Sequence, residues 1–307
     1  MALVDFKYFS PALGMQTALT IILPENTQGI GVGGLQEKSD APIPALYLLH
    51  GTSDDQTIWQ RRTSIERYVA EKRLAVVMMT THLGAYTNQQ YGFRYFDFVA
   101  KEVPEVCARY FNLSRERGGK FVAGLSMGGY GALKIGLALP EEFSVVGALS
   151  AGCDRLGILP EAVRAVPDIA TLRANRAQFS PADYDRGMQF FLNFGSPAEF
   201  EQNDADNLFR LAEKGEGGRR CAAEADPALR HGGHAGARAE PPLQGASRRA
   251  GHRVRLRGVP RHAQLGVLGR AHSVRASKTC RCEGAAMTGT AREILERWRG
   301  KARPPRL

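Results

Sequence analysis

From Glu213 to the C-terminus the sequence contains no phenylalanine and no tyrosine, and its one tryptophan is Trp298. Large aromatic side chains carry much of the burial in a core, so a segment without them is poorly equipped to build one. Cysteine is sparse: five in 307 residues, an odd number that excludes a framework of paired disulfides. Cys280 and Cys282 are separated by one residue, too close for zinc-ribbon spacing, so no metal site is expected. No run approaches the ~18 apolar residues of a membrane helix. MALVDFKYFS lacks the basic start and apolar stretch of a secretory signal. A cytoplasmic location without a membrane partner is the resulting expectation. With 43% hydrophobic and 23% charged residues, the chain falls outside the collagenous and wholly disordered classes.

The net charge of +10 is not shared evenly. Met1 to Ala212 holds 20 Lys and Arg against 23 Asp and Glu, a net of −3, which leaves 41 − 20 = 21 basic and 31 − 23 = 8 acidic residues, a net of +13, for the remainder. Three readings of this basic, Gly/Arg/Ala-rich tail compete. It binds nucleic acid electrostatically, it is a disordered extension, or it is a gene read in the wrong frame. The choice depends on what precedes it.

Phe6 to Leu23 reads as two strands around a turn at Leu13-Gly14. The loop that follows contains a formal G-x-G-x-x-G at Gly29, Gly31 and Gly34. It opens onto QEKSDAPIP, which cannot be the helix a dinucleotide phosphate needs, so a flexible loop is the better reading and no cofactor is expected. From Pro44 strand and helix alternate. ALYLLH, LAVVMMT, KFVAGL and FSVVGALSA are continuous apolar strands, separated by helices in SIERYVAEKR, Phe96 to Phe111 and Met127 to Leu139. Such strands indicate a mostly parallel sheet with helices on both faces. Residues from Cys153 to Ala212 carry several prolines and no strand run, and read as a cap beside the sheet.

The motif that carries chemistry is Gly124-Leu125-Ser126-Met127-Gly128, between the strand KFVAGL and the helix GGYGALKIGLAL. A nucleophile elbow needs this context: a serine on a tight strand-to-helix turn, with glycines where chain passes close by. Ser126 is therefore the expected nucleophile. The bland alternative, a serine that only caps the helix, leaves the surrounding glycines unexplained. His50-Gly51-Thr52 follows ALYLLH, where an α/β-hydrolase places half of its oxyanion hole, and the expected donors are the backbone N–H groups of Thr52 and Met127. His50 reads as a structural residue bonding the loop backbone, and His82 as a surface residue. Aromatics cluster after the strand ends, and most are core or cap packing. Trp59 and Tyr86, on loops at the carboxyl ends of strands, are the preferred residues to line an acyl pocket.

MALVDFKYFSPALGMQTALTIILPE, IPALYLLHGTSDDQTIWQRRTSIERYV, YTNQQYGFRYFDFVAKEVPEV and FVAGLSMGGYGALKIGLALPEEFS together resemble the esterase D and tributyrin-esterase family, whose relatives include S-formylglutathione hydrolases and mycolyltransferase-like esterases. The likeness runs through NFGSPAEFEQNDADNLFRLAEK and covers about two-thirds of the chain. It implies an α/β-hydrolase fold and a Ser-Asp-His triad acting on short acyl esters or thioesters, with no metal or organic cofactor. On this sequence it gives Ser126 as nucleophile and Thr52 and Met127 as backbone donors.

The same resemblance implies an aspartate in a C-G-T-E-D-like motif and a histidine in a G-T-H-x-W-x-x-W-like motif, and neither appears after residue 212. The genetic code tests the wrong-frame reading. Joining the last two bases of each codon to the first base of the next, Pro260 to Ser273 (PRHAQLGVLGRAHS) admits PGTHNWEFWDEHIQ, and Leu229 to Gly233 (LRHGG) admits CGTED. Two family motifs emerge in one frame and in the right order, which places a frame change between about Ala212 and Ala222. The implied aspartate then falls at Gly233 and the implied histidine at Ala263. His262 is a product of the shifted frame and is not expected to be catalytic.

The expected organisation is a hydrolase core over 1–212, with its cap over about 153–212, and a poorly ordered basic tail over 213–307. The last strands and final helix are expected to be missing. The expected activity is that of a serine esterase impaired by loss of the triad Asp and His. An S-formylglutathione hydrolase-type thioesterase and a catalytically dead binding protein of the same fold are the alternatives. The expected partner is a small acyl ester or thioester. Nucleic acid is not expected, since the tail lacks stacking aromatics, and a homo-oligomer is compatible with the sequence.

Overall fold

The structure, a computed structural model, describes residues 1–25, 39–214 and 287–289. The glycine-rich loop with Gly29, Gly31 and Gly34, and nearly all of the basic tail, lie outside the described residues. Seven strands form one sheet: β1 (Ala2–Ser10), β2 (Met15–Leu23), β3 (Ala45–Leu49), β4 (Ala75–Met79), β5 (Lys120–Leu125), β6 (Val145–Leu149) and β7 (Met287–Gly289). Their order is β1-β2-β4-β3-β5-β6-β7. β4, β3, β5 and β6 are mutually parallel, while the β1–β2 hairpin joins β4 antiparallel.

The two kinds of strand are distinct in sequence for a physical reason. β1 is an edge strand whose residues alternate between partly buried and exposed, and from Val4 to Tyr8 its sequence alternates apolar and charged with them. β3 and β4 are buried at every residue, because a parallel strand inside the sheet is covered on both faces. Tyr47, Leu49, Val77, Met79 and Val122 pack on one face, and Leu46, Leu48, Val76, Met78 and Phe121 on the other.

On the first face lie α3 (Tyr95–Asp97), a π-helical turn (Phe98–Glu102) and α4 (Val103–Phe111), which run on as one helix. The π turn has a cause: Pro104 has no N–H to give and its ring crowds the carbonyl four residues back, so the preceding turn widens. α5 (Met127–Ala138) packs on the same face. The second face is covered by the short α1 (Ile58–Arg62) and α2 (Ile65–Val69), with Trp59, Ile65 and Val69 buried. Toward β5 and β6 that cover thins, and Ala123, Val145 and Leu149 are only part-buried.

The sheet does not stop at β6, as a tail without family-like strands led us to expect. Met287–Gly289 pairs antiparallel with Val146 to Ala148. The open N–H and C=O row of an edge strand accepts any extended backbone, so pairing here needs no family-like sequence.

After β6 the chain forms α6 (Glu161–Arg164), α7 (Ile169–Ala174), α8 (Pro181–Phe194) and α9 (Pro197–Glu201), with no strand between Cys153 and Ala212. α8 and α9 start on strong signals. Ser180 accepts from the Asp183 N–H and Pro181 follows it, and Ser196 and Glu199 form a capping box. Phe190, Phe194 and Phe200 stack against one another at ring separations of 5.0–5.4 Å, and Phe194 meets Tyr130 of α5 at 6.2 Å.

Candidate active site

β5 runs straight into α5 through Ser126, the only residue between them. Ser126 has φ +54° and ψ −108°, a left-handed backbone that L-residues avoid. Two bonds hold it there: its N–H donates to the Leu149 carbonyl of β6 at 2.8 Å, and its carbonyl accepts from Tyr130 N–H at 3.0 Å. The flanking glycines are demanded by crowding. A methyl at Gly124 would overlap the Gly128 carbonyl, and one at Gly128 would stand 2.5 Å from the Leu49 oxygen and 2.6 Å from that of His50. The result is an exposed serine at the tip of a turn pressed against the end of β3.

The loop after β3 faces that serine. A methyl on Gly51 would come 3.9 Å from Ser126 Cβ. Thr52, next along, is exposed, and Met127 opens α5, where a helix leaves its first N–H groups without internal partners. His50 holds the loop: it is buried, its Nε2 accepts from Thr81 N–H at 3.0 Å, and its Nδ1 lies 2.7 Å from the Gly51 carbonyl. Since Nε2 accepts, Nδ1 carries the proton and donates to Gly51. Burial pushes the imidazole pKa below its ordinary value, against the opposing pull of the Gly51 carbonyl, so the ring is neutral. The structural reading of His50 therefore stands. His82 is exposed, with Nδ1 2.9 Å from the Tyr95 hydroxyl. Among the described residues no imidazole is hydrogen-bonded to Ser126; Gly233, His262 and Ala263 lie outside them.

Two expectations need correction. Trp59 and Tyr86, read as pocket-lining, are buried in the core, at 6% and 0% exposure. Trp59 packs on the second face of the sheet and donates its indole N–H to the Leu49 carbonyl at 3.1 Å. Tyr86 lies against α5 and donates its hydroxyl to the His50 carbonyl at 2.9 Å. Both polar groups brace the β3 loop from beneath, because a buried indole N–H or phenol needs an acceptor and the end of β3 supplies two.

The family model described as "Putative esterase" matches residues 10–183. The chain belongs to this esterase family. An acetyl esterase from Caldicellulosiruptor saccharolyticus is 30% identical over 152 residues, which are 49% of this chain and 56% of the relative, so the match spans little more than half of that protein. Two solved structures from Staphylococcus aureus are similar throughout the core. One is a fluorophosphonate-binding serine hydrolase with substrate bound, 30% identical with a TM-score of 0.54, over 71% of this chain and 74% of the other. The second is an S-formylglutathione hydrolase without ligand, 29% identical with a TM-score of 0.52, over 71% and 75%. The fold is that of the α/β-hydrolases.

Sequence reasoning missed how strain is distributed in this esterase-family chain. Seven non-glycine residues have positive φ among the described residues, and six of them, Ser53, His82, Ala85, Tyr86, Ser126 and Ser150, follow the carboxyl ends of β3, β4, β5 and β6. Strained backbone collects where the chain is bent for a site. Only Ser126 carried a signal, through its glycines.

It also missed the buried group behind the helix. Lys134 of α5 pairs with Asp206 of the cap and donates to Thr87 Oγ1 at 2.7 Å, while Asn203 donates to the other Asp206 oxygen at 2.9 Å. Burial pushes the Lys134 pKa down and the Asp206 carboxylate opposes that. A lone lysine in an apolar helix was the one available hint.

Proposed function

We propose that this chain is built as a serine esterase for short acyl esters. Ser126 Oγ attacks the ester carbonyl, the backbone N–H groups of Thr52 and Met127 receive the carbonyl oxygen as it becomes an oxyanion, and the alcohol leaves with a proton. Water then releases the acyl group. The observation that carries this reading is Ser126 itself, exposed at φ +54° just before α5 and facing the Gly51-Thr52 loop. The substrate is a small molecule and the chemistry uses no metal or organic cofactor. The setting we propose is cytoplasmic, without a nucleic-acid or membrane partner. The identity to an S-formylglutathione hydrolase supports a thioester as the second reading.

The hydroxyl of a serine needs a base and an orienting acid to be a nucleophile at neutral pH. We propose that both were removed by a change of reading frame between about Ala212 and Ala222, with the aspartate due at Gly233 and the histidine at Ala263. On this reading 1–212 is the hydrolase core, 153–212 its cap, and 213–307 shifted codons.

The test compares the present chain with one whose frame is restored, using a fluorophosphonate probe and p-nitrophenyl acetate. The restored chain should label and turn over, and Ser126→Ala should abolish both. The present chain should show at most feeble turnover, because disabling a triad in subtilisin removes about 10⁴ to 10⁶ of rate. His262→Ala in the present chain should change nothing. Ordinary turnover by the present chain, abolished by His262→Ala, would overturn the frame argument, and DNA with no correctable slip would do the same. Parallel assays on S-formylglutathione and p-nitrophenyl acetate separate the two substrate readings.

A further inference from the structure

Among the described residues, the guanidinium of Arg155 is a cation without a counter-charge, a few residues past the strand that holds the Ser126 turn. It lies between two aromatic faces, with Cζ 5.3 Å from the centre of the Tyr130 ring and 5.7 Å from that of Phe194. Its Nε is buried with no hydrogen-bond partner. Among the described residues no carboxylate pairs with it, and burial pushes its pKa down with only the Tyr130 hydroxyl opposing. Elsewhere in the interior the cation is matched: buried Lys134 has Asp206 and buried Lys120 has Glu142. Aromatic faces attract a cation but do not accept its planar N–H fork.

Its position makes this charge relevant to Ser126. Arg155 follows β6, the strand whose Leu149 carbonyl holds the Ser126 N–H. A methyl at Gly152 would stand 3.6 Å from Arg155 Nη1, so the guanidinium lies against the backbone just past the strand. That backbone leans on α5, where a methyl at Gly129 would come 2.8 Å from Ala151 Cβ. Tyr130, beneath the guanidinium, is four residues along from Ser126, about 6 Å on a helix axis. The oxyanion donors proposed above belong to the opposite, β3 side of the turn. Arg155 thus belongs to the β6 side of the turn, across it from the proposed donors. The residue as a whole is part-buried, its Nε end being the enclosed part.

We propose that Arg155 is a specificity residue that receives a carboxylate carried by the ester substrate. A carboxylate matches the planar fork and supplies the missing charge, whereas a neutral chain of the same length leaves the guanidinium unpaired. The substrate class is then a half-ester of a dicarboxylic acid, a reading that rests on Ser126 facing the ester but does not require it to react.

Binding therefore tests the idea independently of turnover. In the full chain carrying Ser126→Ala, monomethyl succinate and dimethyl succinate are compared by calorimetric titration. They differ by one charge and share the ester. The charged ester should bind about tenfold to a hundredfold more tightly, the range for a hydrogen bond to a charged group. Arg155→Gln should bring the two esters level, and Arg155→Lys, which keeps the charge and loses the fork, should retain part of the preference. Circular dichroism confirms that each variant is folded; if Arg155→Gln is not, the comparison of Arg155→Lys with the parent decides. Equal binding of the two esters, no binding of either, or an undiminished preference in the variants overturns the proposal. Fluorophosphonate labelling of the serine-containing, frame-restored chain reports separately on the esterase reading.

Discussion

The Ser126 amide donates to the Leu149 carbonyl across the β5–β6 pair at 2.8 Å. This bond fixes the strained turn to β6, and among the described residues β6 is paired on its far side with Met287–Gly289.

Gly128 is a site of close approach, not of unusual dihedrals. Gly128→Ala would drive a methyl between the Leu49 and His50 carbonyls, 2.5 and 2.6 Å away, where neither oxygen has a flexible side chain to yield. We expect a loss of about 1–3 kcal/mol, the usual cost of overpacking, read as a lower urea midpoint. An unchanged midpoint would mean that the elbow is looser than described.

Tyr86→Phe separates a bracing residue from a pocket residue. Removing the hydroxyl leaves the His50 carbonyl without a buried donor and should cost about 1–3 kcal/mol in urea unfolding. In the frame-restored chain the preference among acetate, butyrate and hexanoate esters should not move. A changed chain-length preference would return Tyr86 to the acyl pocket.

Lys134 and Asp206 tie the cap to α5 through a buried ion pair. Lys134→Met strands a buried carboxylate and should destabilise by about 3–5 kcal/mol, while replacing both, Lys134→Met with Asp206→Leu, should recover much of that loss. If the double variant is as unstable as the sum of the singles, the two residues act independently and the pair is not what holds the cap.

His50 links stability to pH. Its folded pKa lies below the ordinary 6.5, so the unfolded chain takes up a proton there before the folded chain does. This contribution is complete above about pH 6.5 and declines as the pH falls toward the folded pKa. The thermal midpoint should drop between pH 7.5 and 5.5, and less steeply in His50→Gln. Parallel curves for the two proteins would show that the imidazole is not the titrating group.

The amino-acid order alone determined the first six strands and the strand-turn-helix around Ser126. Those features are local. An all-apolar strand such as ALYLL is buried on both faces wherever it is placed in a parallel sheet, and Gly-x-Ser-x-Gly between strand and helix is defined by the backbone space its glycines leave. The role of each aromatic was decided only by the tertiary structure. Trp59 and Tyr86 stand at strand ends like pocket residues, yet their polar atoms reach the Leu49 and His50 carbonyls because β3 lies between its neighbours in the sheet order, a relation of strands distant in sequence. The same holds for the charges. Lys134 and Asp206 are 72 residues apart, and Arg155 reads like any other arginine. Which of them is paired depends on what the folded chain brings alongside, and a charge in a low-dielectric interior is decided by its nearest neighbours.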